Sequence, residues 1–336
     1  MAHPKLHLEY SVLDVFTNCS WSKGNPLAIV RLTKEAAAQI TQEQKQLIAR
    51  EFNFHETTFL HDYVEGGAGR QELRKRVDIF TKLMEVPFAG HPTIGTAAYC
   101  FNHVFLDMSE DGTLITKAGE ISVRRDPDGL VGADIPCHNY RVHSKRSGRV
   151  EKQAIIQQHP ELQCHSTTLL PNFPVISIAK GLLLTWAYTF SFIPIKIDSL
   201  ETLAEINPAK PPDVTQVLDE DFTGPIGGGV MFYCELSSTG DLNRFQVRRM
   251  TSGGEEDPAT GSAACAFSVW QSQAKCRENP EAALWKKTMR YEIQQGVEMG
   301  RKSDIIVDVT LNNDLHPQKV VLLGYAAETM SGELVI

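Results

Sequence analysis

Apolar positions along the chain gather in short runs broken by polar and glycine-containing stretches, a pattern that predicts many strands and few helices. KLHLEYSVLDVF (5–16) and NPLAIVRL (25–32) read as strands, and the polar TQEQKQLIAR (41–50) as a helix. Strands follow at TTFL (57–60), at ELRKRVDIFT (72–81) after a glycine hairpin EGGAG (65–69), and at LITK (114–117) and ISVRR (121–125). The turn Asp126-Pro127-Asp128-Gly129 closes this half. The second half continues with VISIA (175–179), VMFYCEL (230–236), a turn at STGD (238–241), NRFQVRRM (243–250), MRYEIQQ (289–295), DIIVDVTL (304–311) and KVVLLGYAAE (319–328). Between the halves, the polar CHNYRVHSKRSGRVEKQ (137–153) reads as a linker.

Each half carries one distinctive helical phrase. HPTIGTAAYC (91–100) and DPATGSAACA (257–266) begin 257 − 91 = 166 residues apart and share a Pro, a Gly, a hydroxyl residue and two alanines in register. That spacing is too long for a solenoid and signals an internal duplication. Proline favours the first helical turn, so the phrases predict helix starts at His91-Pro92 and Asp257-Pro258. Ile94, Ala97, Ala98, Phe101 and Phe105 follow at helical spacing, as do Ala263, Phe267 and Trp270, and the remaining faces are also small or apolar. Each helix is therefore expected inside its own strands, presenting free N–H groups at its start that suit a small carboxylate. Asp257 before Pro258 is equally a good N-cap, so that residue alone does not decide between capping and chemistry. In NFHETTFL (53–60), a strand extended back to Phe52 would set Glu56 on one face with Phe52, Phe54, Thr58 and Leu60. An acid there is either a solvated edge or a buried proton carrier.

Composition narrows the classes. At 336 residues the chain exceeds one comfortable core, and 42% hydrophobic with 22% charged residues is ordinary for a globular protein. Two domains are expected, at 1–136 and 137–336, with the last strand open to return to the N-terminal lobe. A net charge of −8 argues against a nucleic-acid partner. The seven cysteines are scattered and form no CxxC pair, which reads as reduced cytosolic thiols without a metal site. MAHPKLHLEY lacks a signal-peptide core, and PVISIAKGLLLTWAYTFSFIPI (174–195), broken by Lys180, Gly181 and prolines, reads as consecutive strands and not as a membrane span. A cytoplasmic protein is expected. The glycine clusters at 66–69 and 227–229 lack the context of a nucleotide loop.

The chain resembles the phenazine-biosynthesis-like (PhzF-like) isomerases of the diaminopimelate-epimerase fold. The motifs GNPLAIV (24–30), IAREFNFHETTFL (48–60), EVPFAGHPTIGTA (85–97), EEDPATGSAA (255–264) and QGVEMGRKS (295–303) carry the resemblance in family order. It implies an α+β fold of two similar lobes related by a pseudo-twofold, each a barrel-like sheet round a central helix, with the active site between the helix starts. The family's acid/base glutamate falls on Glu56, its supporting His and Asp on His91 and Asp257, and its substrate anchors on Gly90, Gly261 and Ser262. It further implies a homodimer and a proton-moving isomerase that needs no cofactor or metal and acts on a small cyclic or unsaturated acid, similar to dihydro-hydroxyanthranilate isomerase. His55 stands where the family usually has Ser, and Phe80-Thr81-Lys82 where it has Phe-Thr-Pro, which puts substrate identity in doubt more than fold. The epimerases of this fold use a cysteine before each helix. Here Ala89 precedes Gly90, the second phrase begins EEDPAT, and Cys100 and Cys265 lie deeper in the helices, so a two-thiol racemase is not favoured. A non-catalytic acid binder is the alternative of another class, and the retained Glu56, His91 and Asp257 argue against it.

Overall fold

The computed structural model describes residues 5–19, 21, 23–63, 73–105, 110–136, 140–143, 149–165, 169–180, 188–213, 218–219, 226–239, 242–282 and 284–336. The chain divides into two compact units, Met1–Asp134 with Leu323–Ile336, and Ile135–Leu322.

The first unit contains β1 (His7–Val15), β2 (Asn25–Leu32), α1 (Lys34–Gln39), α2 (Gln42–Phe52), β3 (Glu56–His61), β4 (Arg74–Thr81), β5 (Glu85–Val86), α3 (Gly90–His103), β6 (Asp111–Thr116), β7 (Gly119–Arg125) and β8 (Val131–Asp134). The chain's last strand, β19 (Ala326–Val335), lies antiparallel beside β1. Helix α3 is buried continuously from Gly90 to Phe101, because small and apolar residues surround its whole circumference. Gly95 sits at its tightest point: a Cβ there would fall 2.6 Å from Leu27 Cδ2 and 2.7 Å from Val15 Cγ2. On the outer face of the sheet, α1 and α2 cover a second apolar cluster that includes Leu8, Val30, Ile48, Phe59 and Phe80. Helix α2 starts with a reciprocal capping box, Thr41 with Gln44, which matches the polar helix expected at 41–50.

The second unit contains β9 (Tyr140–Val142), β10 (Arg149–Glu151), α4 (Lys152–Gln158), β11 (Asn172–Pro174), β12 (Ile176–Lys180), β13 (Tyr188–Lys196), α5 (Leu200–Glu205), β14 (Ile226–Thr239), β15 (Leu242–Thr251), α6 (Gly261–Glu278), β16 (Met289–Gln295), β17 (Ser303–Leu311) and β18 (Pro317–Gly324), which ends just past the unit's boundary. Phe267 of α6 is fully buried, with ring centres 4.9 Å from Tyr233 and 5.1 Å from Phe245. Burying one such ring contributes about 2–3 kcal/mol.

The duplication suggested by the repeated phrase extends to strand pairing. Along β19–β1–β2–β3–β4–β6–β7 the pairs are antiparallel, antiparallel, parallel, antiparallel, parallel and antiparallel. Along β9–β12–β13–β14–β15–β16–β17 the succession is the same. In each unit the buried helix, α3 or α6, occupies the crossover of the second parallel pair. A parallel pair requires such a crossover, so the repeated phrase recurs where the topology demands a helix.

One expectation changes. The stretch 137–153 is not a linker: residues 140–142 pair with β12, residues 149–151 pair with β11, and α4 begins at Lys152. In the apolar region 174–195 the described residues include β12 and β13, paired antiparallel, and no helix among the described residues is long and apolar enough to cross a membrane. Gly227–Gly229 lie within β14 between two paired strands and front no helix. The hairpin expected at 65–69 and the centre of the turn at 238–241 lie outside the described residues.

Candidate active site

Glu56 opens β3, and the chain reaches it by a sharp stop. Helix α2 ends at Phe52, and Asn53 caps it in the left-handed conformation at φ 56°, a geometry that Asn tolerates. The expected strand back to Phe52 therefore does not form, and Glu56 shares its strand face with Thr58 and Leu60 alone. Glu56 pairs beside Leu27 of the parallel neighbour β2, and Leu27 packs against Gly95. Side chains paired this way share a side of the sheet, so Glu56 faces α3. One turn along, the Thr58 and Thr96 hydroxyls lie 3.1 Å apart and mark the same face.

His91 is the second residue of α3. Its Nδ1 is 3.1 Å from Glu56 Oε2, with the two side chains 4% and 19% exposed. Of the two ring nitrogens, Nδ1 is the one turned to the Glu56 carboxylate. His91 Nε2 is buried and makes no hydrogen bond. The helix starts at Gly90, one residue before the expected His91, and its N-cap Ala89 offers no side-chain cap. The N–H groups of Gly90 and His91 thus have no partner within the helix.

In the second unit the expected start at Asp257-Pro258 is displaced: α6 begins at Gly261, with Thr260 as N-cap. Asp257 does not cap the helix. Its Oδ1 accepts the Ala259 N–H at 3.2 Å, and its Oδ2 accepts the Thr260 hydroxyl and lies 3.3 Å from Arg249 Nη1. These bonds close a turn over 257–260 that keeps those residues out of the helix. No side chain caps α6, so the N–H groups of Gly261, Ser262 and Ala263 begin it bare, and Gly261 and Ser262 are buried.

The paired acids of the EED motif answer the paired arginines of β15. Arg248 binds Glu256 through Nε at 2.9 Å and Nη2 at 2.7 Å, while Arg249 takes Asp257. Arg248 Nη1 also donates to the carbonyls of Leu203, Ala204 and Ile206, closing the end of α5. Arg249 donates to Gly228 O at 3.2 Å and lies over the Phe190 ring, 4.7 Å from its centre. Thr260 and Gln295 lie within the motifs EEDPATGSAA and QGVEMGRKS, which do not single them out, and Arg249 lies outside both. The available signal is two consecutive arginines inside an apolar strand, which must both find anionic partners if buried.

Other chemistries fit less well. Cys100 and Cys265 are fully buried, and burial pushes the Cys100 thiol up to about 12. His143, Ser177 and Asp219 cluster like a hydrolytic triad, but the Asp219 N–H donates to His143 Nδ1 at 3.0 Å. Nε2 of that ring then carries the proton and faces Ser177 Oγ at 2.8 Å, so it cannot take the serine's proton. Among the described residues no three His, Cys, Asp or Glu side chains gather as a metal-ligand set.

The profile of the family described as phenazine biosynthesis-like protein matches residues 13–332. An uncharacterized isomerase of Mesorhizobium japonicum is 27% identical over 337 residues, 97% of this chain and 98% of the relative. A phenazine biosynthesis-like domain-containing protein of Homo sapiens is 29% identical over 272 residues, 80% and 84% of the two chains. Among solved structures, a Bacillus anthracis phenazine biosynthesis protein of the PhzF family aligns over 98% of this chain and 100% of its own, with TM-score 0.65 and 20% identity. A hydroxyproline epimerase from Agrobacterium vitis with bound trans-4-hydroxy-L-proline aligns over 98% and 93%, with TM-score 0.57 and 9% identity. The fold is thus the α+β fold of the diaminopimelate-epimerase-like proteins. The chain belongs to the phenazine biosynthesis-like (PhzF) family and is one of its isomerases.

Proposed function

We propose that the protein moves a proton on a small cyclic or unsaturated amino or carboxylic acid, without a cofactor. The observation that carries this reading is the contact of half-buried Glu56 with buried His91, whose imidazole Nε2 makes no hydrogen bond among the described residues. A carboxylate and an imidazole this close can pass a proton between them while one exchanges it with a carbon acid. Glu56 takes and returns the substrate proton, His91 supports it as relay, and the Gly90 N–H contributes a donor beside them. To the second unit we assign a different task. The bare first turn of α6 at Gly261 and Ser262 binds a small carboxylate. Asp257, with its oxygens engaged by Arg249, Thr260 and Ala259, holds that turn in place and does not itself carry the proton. We also propose a homodimer, as the family resemblance implies, and a cytoplasmic location, as the scattered cysteines without a CxxC pair suggest; sedimentation of the purified protein tests the stoichiometry.

The test has two steps. Thermal-shift screening of small cyclic and unsaturated acids, with dihydro-hydroxyanthranilate among them, selects a ligand. Deuterium uptake from heavy water into that ligand then reads proton transfer. Glu56→Gln keeps shape and an acceptor oxygen but cannot shuttle a proton. It should lower the exchange rate by about 10²–10⁴ while leaving affinity within about threefold. Ser262→Ala should do much less, because its backbone N–H remains. Exchange at the wild-type rate in Glu56→Gln would overturn Glu56 as the proton carrier, and no exchange above the protein-free rate in wild type would hand the function to a non-catalytic binder.

A further inference from the structure

We infer that Gln295 is a positioning residue of this isomerase, one that decides where α6 begins and so which N–H groups it presents. The inference rests on the reading above that the first turn of α6 binds the substrate's carboxylate. Gln295 ends β16, beside Val247 of β15 and Ser303 of β17, and is fully buried. Its carboxamide is spent entirely on the loop before the helix. Oε1 accepts the Thr260 N–H at 3.1 Å, and Nε2 donates to Asp257 O at 2.6 Å and to Thr260 Oγ1 at 3.2 Å. The next residue, Gly296, has φ +72° and lets the loop settle on the backbone: a Cβ there would lie 2.7 Å from Pro258 O.

These bonds oppose a competing local structure. Asp257 followed by Pro258 is a strong helix start, with Asp as N-cap and Pro at the first helical position. A helix begun there would bond the Gly261 N–H to Asp257 O and the Ser262 N–H to Pro258 O, removing both donors from the site. Gln295 occupies the Asp257 carbonyl and the Thr260 N–H, the groups such a helix would use or redirect. It thereby holds 257–260 out of the helix and leaves Gly261 and Ser262 bare. Both a donor and an acceptor are needed, which a carboxamide supplies and a carboxylate does not.

The experiment compares wild type with Gln295→Leu and Gln295→Glu. It reads ¹³Cα shifts of Pro258, Ala259 and Thr260, and the affinity for anthranilate, a stable aromatic acid with no proton to move. The expected result is helical shifts at 258–260 in both variants at neutral pH, with anthranilate bound at least tenfold more weakly. In Gln295→Glu, lowering the pH protonates the introduced carboxyl and restores one donor and one acceptor. The shifts and the affinity should then return toward wild type, which a merely space-filling role would not produce. Should Gln295→Leu fail to fold, the Glu variant and its acid rescue carry the test alone. Non-helical shifts at 258–260 in the variants overturn the inference. Helical shifts with unchanged anthranilate binding uphold Gln295 as the determinant of the helix start and overturn the carboxylate assignment to α6. If wild type binds no anthranilate, the shifts still decide the role of Gln295, and the assigned ligand class is what fails.

Discussion

Replacing Asp257 by Asn separates two physical roles that look alike in the sequence. If Asp257 were an N-cap, Asn would serve nearly as well and stability would change by a few tenths of a kcal/mol. The structure instead places Asp257 against Arg249, with side chains only 9% and 4% exposed. Removing the charge from one side of a buried pair leaves the other charge without compensation, at about 3–5 kcal/mol. Part of that is offset, because Arg249 keeps Gly228 O and the face of Phe190. The turn bonds also survive, since the Asn carbonyl can still accept from Ala259 N–H or the Thr260 hydroxyl. A net loss of about 3 kcal/mol is expected, which for a unit of this size lowers Tm by about 6–12 °C. Urea and thermal unfolding, followed by circular dichroism and Trp fluorescence, measure it. The companion variant Arg249→Met and the double variant complete a cycle, in which the double should be milder than the summed singles by at least about 1 kcal/mol. A loss below about 0.5 kcal/mol for Asp257→Asn, or strict additivity, would refute the ion-pair account and restore the cap.

Two further predictions concern groups outside the site. Asp78 is buried with Lys45 Nζ at 2.6 Å and His61 Nε2 at 2.9 Å. Burial alone would raise its pKa, but hydrogen bonds from His61 and Lys45 outweigh that and hold it well below the ordinary carboxylate range. Because the folded pKa is depressed, its stabilisation is present above about pH 4 and is lost as pH falls below that toward the folded pKa. Asp78→Asn should therefore cost about 3–5 kcal/mol at pH 7 and flatten the acid limb of urea midpoints below about pH 4, and an unchanged limb would count against the assignment. Iodoacetamide under native conditions should modify exposed Cys19 and Cys164 and spare buried Cys100 and Cys265, because the reactive form is the thiolate. Mass mapping that finds Cys100 labelled in the folded protein would reopen the thiol-based reading.

What could be read from the chain is what arises from near neighbours and periodicity. The strand runs, the Thr41 capping box, the turn at 126–129 and the two small-residue helices all depend on residues within a few positions of one another. The repeated phrase was legible because duplication leaves Gly95 and Gly261 in matched places, and Gly95 is required where Leu27 and Val15 close on α3. Glu56 and His91 could be nominated from their motifs, but their contact depends on a strand and a helix start 35 residues apart, since 91 − 56 = 35. Local preference also misjudged both boundaries at the site. Asn53 ended a helix where alternation suggested a strand, and Gln295 pulled the 257–260 segment off a helix that Asp257-Pro258 would otherwise begin. The return of β19 to β1, from the far end of the chain, was likewise open until the backbone pairing chose it. Except at Asn53, whose cap bonds Ala49 four residues back, the deciding bond joins groups brought together only by folding, and its energy exceeds the few tenths of a kcal/mol by which local propensities differ.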